Sequence, residues 1–223
     1  MRVAILSSGG KDSAAAWWWA ICKGWDVTAL VTMKVTSGDS LMFQVPGTEI
    51  VQHQAKLAKI PWLCITTRGE EELEIADLEN QLEEISIDAL VCGALRSDYQ
   101  KSRIERMCQR LGIISYTPLW HQSGLEHISG LVMHGFGIMI TSVACDGLNE
   151  DWIGKILDEE SLNLMIELSR KYRFNVDGEG GEYETLVVYG PHFDGEITVK
   201  GTTKWYGRRG ELSISEISSS RDC

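Results

Sequence analysis

The sequence is short of three things: paired cysteines, a long apolar run and positive charge. Six cysteines stand at 22, 64, 92, 108, 145 and 223, with no CxxC pair and no Cys/His cluster at zinc spacing. A disulfide scaffold and a zinc ribbon are thereby excluded, and thiols among apolar neighbours read as reduced and buried. The longest apolar run, Ala14–Cys22, has nine residues, too few for a bilayer that requires roughly 20. The start, MRVAILSSGGKDS, has too few apolar residues before Gly9 for a signal peptide, so the expectation is a cytoplasmic protein without membrane contact. Lys and Arg number 21 against 32 Asp and Glu, a net charge of −11 over 223 residues. The deficit is uneven, −3 over residues 1–122 and −8 over 123–223. Such a balance argues against nucleic acid as a partner and favours meeting a cationic group.

What is present is an ordinary globular composition, 43% hydrophobic and 24% charged. The first half alternates strand-like and helix-like segments. Strands are expected at 2–7, 26–35, 62–67, 89–94 and 113–116. Helices are expected from Ser13 to Cys22, around Val51, Ala55 and Ala58 with Thr48 as cap, around Ile75, Leu78 and Leu82, and around Ile104 and Met107. Near-continuous apolar strands separated by helices imply a parallel sheet covered on both faces, with function at the C-terminal strand ends. The second half is less regular. Residues 130–144 read as strand-like, Leu162, Met165, Ile166, Ser169 and Tyr172 as a helix, and 196–199 and 211–217 as further strands. The expected fold is therefore α/β, with a Rossmann-like parallel sheet over 1–125 and a smaller α+β domain over 126–223.

Ser7-Ser8-Gly9-Gly10-Lys11-Asp12-Ser13 lies between the first strand and the first helix. Small residues there admit a phosphate to backbone N–H groups, and the helix N-terminus adds its positive end. Lys11 supplies a mobile cation, Asp12 a carboxylate for a metal ion, and the serines hydroxyls. It is not the GxxxxGK[ST] loop, because Asp follows Lys11. SSGGKDS resembles the PP-loop of the ATP pyrophosphatase superfamily, whose members cleave ATP between the α and β phosphates.

Three further stretches narrow the resemblance: Met42–Pro61 (MFQVPGTEIVQHQAKLAKIP), Gly93–Ile113 (GALRSDYQKSRIERMCQRLGI) and Asp177–Val187 (DGEGGEYETLV). With the loop, they are similar to the diphthine–ammonia ligase family, collinearly from near residue 1 to near residue 200. The resemblance implies ATP with Mg²⁺, and a carboxylate, that of diphthine on translation elongation factor 2, converted to an amide by ammonium. It implies that Ser7, Ser8, Gly9, Gly10, Lys11, Asp12 and Ser13 bind phosphates, with Met33 and Met42 near the adenine and Asp12 at the metal. It also implies that Glu74, Tyr99, Gln100, Glu179, Glu182 and Glu184 meet the substrate, with Lys11, Asp12, Glu179 and Glu182 in the chemistry.

Blander readings stand beside these. Residues 70–74 read equally as a solvated first helical turn, Asp98-Tyr99-Gln100 as a cap and first turn, and GEGGEYE as an acidic turn. Trp17, Trp18 and Trp19 sweep about 200° of a helix, so one is expected in the core and another at an inter-domain contact. The five histidines read as structural, and Cys145 lacks a paired base for nucleophilic work. Free ammonium is the expected nitrogen source, since no amidotransferase domain is visible. Competing functions are a transfer-RNA modifying enzyme with the same loop and a non-catalytic adenine-nucleotide module; a homodimer is left open.

Overall fold

The structure, a computed structural model, describes residues 1–36, 47–68 and 71–220. The chain divides into two compact units, Met1–Trp120 and His121–Cys223.

In the first unit, strands β1 (Arg2–Leu6), β2 (Asp26–Val35), β3 (Trp62–Thr67), β4 (Ala89–Cys92) and β5 (Ile114–Tyr116) form one sheet of order β3-β2-β1-β4-β5. Each of its neighbouring pairs is parallel. The helices between them are α1 (Lys11–Cys22), α2 (Ile50–Ala58), α3 (Glu71–Glu83) and α4 (Asp98–Leu111). The first two crossovers step one way from β1 and the later ones step back across it. Right-handed connections therefore put α1 and α2 on one face and α3 and α4 on the other. The alternation of side chains agrees: Ala4, Val31, Met33 and Leu90 pack with Leu78 of α3 and with Ile104 and Met107 of α4. This is the expected Rossmann-like sheet.

Helix ends follow local chemistry. Gly112, at φ 70°, closes α4 with a left-handed cap, as its place after Leu111 predicts. Helix α2 departs from expectation, because its cap position is Glu49, not Thr48, and no side chain caps it. Thr48 is instead buried. Of the three tryptophans, Trp17 is fully buried, whereas Trp19 meets the Trp25 ring edge-on at 5.0 Å and lies 6.0 Å from Tyr116. The thiols are only partly as expected. Cys92 and Cys108 are buried and Cys145 is half-buried. Cys22, the last residue of α1, and Cys64, on the edge strand β3, are exposed.

The second unit holds helices α5 (Gly124–Met133) and α6 (Glu159–Tyr172) and strands β6 (Gly137–Val143), β7 (Tyr183–Tyr189), β8 (Ile197–Trp205) and β9 (Gly210–Ser219). The sheet is antiparallel, in the order β7-β6-β9-β8. Reading 130–144 as one strand was an error, for α5 runs to Met133 and the strand starts at Gly137. Gly135, at φ 79°, makes the break. The Gly-rich, β-branched run hides a helix whose burial falls on His127, Ile128 and Leu131, an i, i+1, i+4 face. Helix α6 begins at a capping box in which Asp158 accepts from the Ser161 N–H at 2.8 Å and Ser161 Oγ accepts from the Asp158 N–H at 2.9 Å. Among the described residues, no helix is long and apolar enough to cross a membrane.

Candidate active site

In a parallel sheet all strands end on one edge, so the loops after β1, β2, β3 and β4 share it. The chain turns back across the sheet between β1 and β4, the switch point where open α/β sheets bind ligands. The loop Ser7–Gly10 leaves β1 there. Gly9 has φ 84°, a conformation that suits glycine, and a Cβ on it would come within 2.3 Å of Ile50 Cγ2. From α2, the buried Gln54 donates its Nε2 hydrogen to the Gly9 carbonyl at 3.1 Å, fixing the peptide. Ser13 Oγ donates to the Gly10 carbonyl at 3.0 Å, and the Gly9 N–H donates to Ser7 Oγ at 3.3 Å. Gly10 is the cap position of α1 and makes no side-chain cap, so the loop ends in helix N–H groups that have no intrahelical carbonyl.

Lys11 is buried, 5% exposed, and its Nζ lies 2.7 Å from Asp12 Oδ2. A buried ammonium requires a paired anion. Here Asp12, itself 26% exposed, fills that role beside a cradle of backbone N–H groups. A polyphosphate suits this donor set of ammonium, helix N-terminus and hydroxyl groups. Mg²⁺ is compatible with Asp12 as its one protein carboxylate, since that ion keeps water and phosphate ligands. Among the described residues no group of three or more His, Cys, Asp or Glu is arranged to hold a metal ion by itself.

Two residues here were not singled out from sequence. Gly93 follows β4, and a Cβ on it would lie 2.6 Å from the backbone C and O of Asp12. The close approach of β4 to the first turn of α1 thus depends on glycine. Gln54 is the other. Its signal, a buried amide in a helix of otherwise apolar burial, is visible only after folding.

The remaining expected residues of this unit lie at the same sheet edge. Met33, near the end of β2, is 2% exposed within the core beneath α3 and α4; Met42 lies outside the described residues. Glu74, in the first turns of α3, is 1% exposed, so the solvated-turn reading fails at that position. Ser97 caps α4 by accepting from the Gln100 N–H at 3.3 Å, which makes Asp98, Tyr99 and Gln100 its first turn. The Tyr99 ring packs partly on the core, with the Arg103 guanidinium 3.6 Å from its centre.

The acidic motif belongs to the second unit. Glu182 is a clasp: Oε1 accepts from the Asn175 N–H at 2.8 Å and from Asn175 Nδ2 at 2.7 Å, and Oε2 accepts from the Gly180 N–H at 2.7 Å. Tyr183 Oη donates to the Val176 carbonyl at 2.6 Å, closing the turn. Glu179 is half-buried in the loop, and Glu184 is exposed on β7 opposite Ser142 of β6. Asp177, which was not named as a site residue, is 1% exposed. Burial pushes the Cys145 thiol up to about 11, which removes it as a nucleophile at neutral pH. His192 is enclosed beside Phe136 and Phe193, and burial lowers its pKa to about 3, in keeping with a structural histidine.

Comparison with known proteins identifies the family. Residues 1–115 match the model of the diphthamide synthase N-terminal domain, and residues 123–219 match that of the C-terminal domain. The human diphthine–ammonia ligase is 34% identical over 222 residues, covering 89% of this chain and 83% of its own length. The zebrafish (Danio rerio) diphthine–ammonia ligase is 33% identical, covering 91% and 88%. A solved structure, described as a predicted subunit of tRNA methyltransferase from Methanocaldococcus jannaschii, matches at a TM-score of 0.50 and 20% identity over 86% of this chain and 98% of its own; it shows the fold alone. With both domain models matched in order and relatives alike over most of their length, the chain belongs to the diphthamide synthase family and is a ligase of the diphthine–ammonia ligase kind.

Proposed function

We propose that this ligase uses ATP to activate the carboxylate of diphthine on translation elongation factor 2, and that ammonia then replaces AMP to give diphthamide. The observation that carries the reading is the SSGGKDS loop, with its buried Lys11, at the switch point of the sheet. ATP supplies the electrophilic phosphorus, leaving as AMP and pyrophosphate. The N–H groups at the start of α1 and the Lys11 ammonium neutralise charge as it develops on the pyrophosphate, the kind of preorganised stabilisation that lowers a barrier most. Ser7, Ser8 and Ser13 orient phosphate oxygens, and Asp12 holds Mg²⁺. Met33, buried near the end of β2, and Met42 are assigned near the adenine, while Glu74, Tyr99 and Gln100, after β3 and β4, are assigned to the diphthine end of the protein substrate.

The acidic loop of the second unit receives ammonium or the quaternary ammonium of diphthine, with Glu179 and Glu184 as its carboxylates and Glu182, bonded to Asn175 and Gly180, shaping the loop. A carboxylate there accepts the proton as ammonium becomes the nucleophile. No transfer RNA is needed, and a homodimer is not required by any of these roles.

The test is purified protein with ATP, Mg²⁺ and ammonium, supplied with elongation factor 2 bearing diphthine or an unmodified histidine. Pyrophosphate and AMP are expected only with the diphthine form, together with the amide in the target's mass spectrum. Formation of ADP, or turnover indifferent to the target, overturns the proposal.

A further inference from the structure

The four acids of the DGEGGEYE motif do not do the same work, and Asp177 is the one that burial distinguishes. Its carboxylate is 1% exposed and sits against the first residue of α5, so close that a Cβ on Gly124 would lie 2.2 Å from Oδ2 and 2.6 Å from Cγ. That end of α5 is positive, and its first N–H groups have no intrahelical carbonyl. The Ser123 hydroxyl offers α5 only a long cap, accepting from the Glu126 N–H at 3.5 Å. Negative charge close to that end of a helix is favourable. On its other side Asp177 Oδ1 accepts from the Glu179 N–H at 3.4 Å. The same carboxylate therefore touches the helix and the backbone of the residue whose side chain follows. At the far end of the loop Glu182 spends both oxygens on Asn175 and Gly180.

We infer that Asp177 is a positioning residue, paired with Gly124, that together with the Glu182 clasp holds the 177–182 loop in one shape, so that Glu179 is the carboxylate presented to the cationic substrate. The inference rests on the proposed ammonium-handling role of this loop. It divides the motif into two acids that hold the backbone, Asp177 and Glu182, and one that meets ligand, Glu179. Gly124 is then a glycine for a tertiary reason, since it begins an ordinary helix.

A double-mutant cycle tests this. Gly124→Ala and Asp177→Ala are each made alone and together, with Asp177→Ser as a second member that clears the clash and keeps an acceptor. Thermal midpoints are read first. Gly124→Ala is expected to lower the midpoint when Asp177 is present and to be nearly neutral once Asp177 is shortened, the non-additivity expected of residues in contact. Steady-state kinetics follow. Each single variant, and Glu179→Gln, is expected to raise KM for ammonium about tenfold or more while KM for ATP stays within about twofold, since a misplacement of about 1 Å is enough for such a loss. Glu182→Gln, which retains an acceptor oxygen, is expected to recover part of what Glu182→Ala loses. Additive midpoints, or an unchanged KM for ammonium in Asp177→Ala and Asp177→Ser, overturn the inference. If the wild-type protein shows no diphthine-dependent turnover, the proposed function fails, yet the midpoint cycle still decides the Asp177–Gly124 pairing.

Discussion

Gly93→Ala puts a single methyl group between the end of β4 and the first turn of α1. Its Cβ would meet the carbonyl carbon and oxygen of Asp12 at 2.6 Å and the nitrogen of Ser13 at 2.8 Å. All three are backbone atoms, so no rotamer change relieves the contact. Ordinary van der Waals separation begins near 3.4 Å, which requires the two backbones to part by about 0.8 Å. Overpacking of this kind costs about 1–3 kcal/mol. For a protein of this length each kcal/mol lowers Tm by roughly 2–4 °C. The functional cost should exceed the stability cost, because the displaced element is the start of α1, whose N–H groups and Lys11 are proposed to meet the phosphates. A displacement of that order at a catalytic group lowers rate by about 10²-fold. The assay is diphthine-dependent pyrophosphate release at saturating ATP, beside a thermal melt, with Gly130→Ala as a control on a helix where a Cβ meets open space. If Gly93→Ala keeps wild-type turnover and Tm, then β4 and α1 do not pack this way and the loop is not held from the β4 side.

Three more expectations follow from the same geometry. Lys11→Ala should reduce pyrophosphate release by about 10²–10³-fold, as expected when a charge-stabilising group is lost; near-normal turnover would remove Lys11 from the phosphate site. Gln54→Leu leaves the Gly9 carbonyl without its 3.1 Å donor and should cost about 1–3 kcal/mol, with a raised KM for ATP; an unchanged KM would show that the loop needs no hold from α2. His192 binds its proton with a pKa of about 3 in the fold against 6.5 when exposed, so the unfolded chain takes up the proton first as pH falls. Stability is unaffected above about pH 6.5 and declines below it, by about 2 kcal/mol at pH 5. His192→Phe should remove that slope in urea melts, and parallel pH profiles for the two proteins would refute it.

Much of the first unit can be read without coordinates, because its strands are near-continuous apolar or β-branched runs and most of its helices carry apolar residues at 3- or 4-residue spacing. The break between α5 and β6 is different. Gly130, Val132, Gly135 and Gly137 suit neither period, so only packing of Ile128 and Leu131 reveals the helix. The exposed Cys22 and Cys64 show the same limit, for apolar neighbours in sequence do not place a residue at a helix end or on an edge strand.

From the sequence alone came the SSGGKDS loop, the order of strands and helices in the first unit and the acidic motif, since each is contiguous and its chemistry is local. Tertiary structure alone assigned Gly93 to the back of α1, Gln54 to the Gly9 carbonyl and Asp177 to the start of α5. Those contacts join residues 80, 45 and 53 positions apart, or more, and depend on atoms brought within a few ångströms by burial. It also buried Glu74, which the sequence places in an acidic run. A carboxylate's neighbours in sequence determine its charge run, but the dielectric around it is set by the fold.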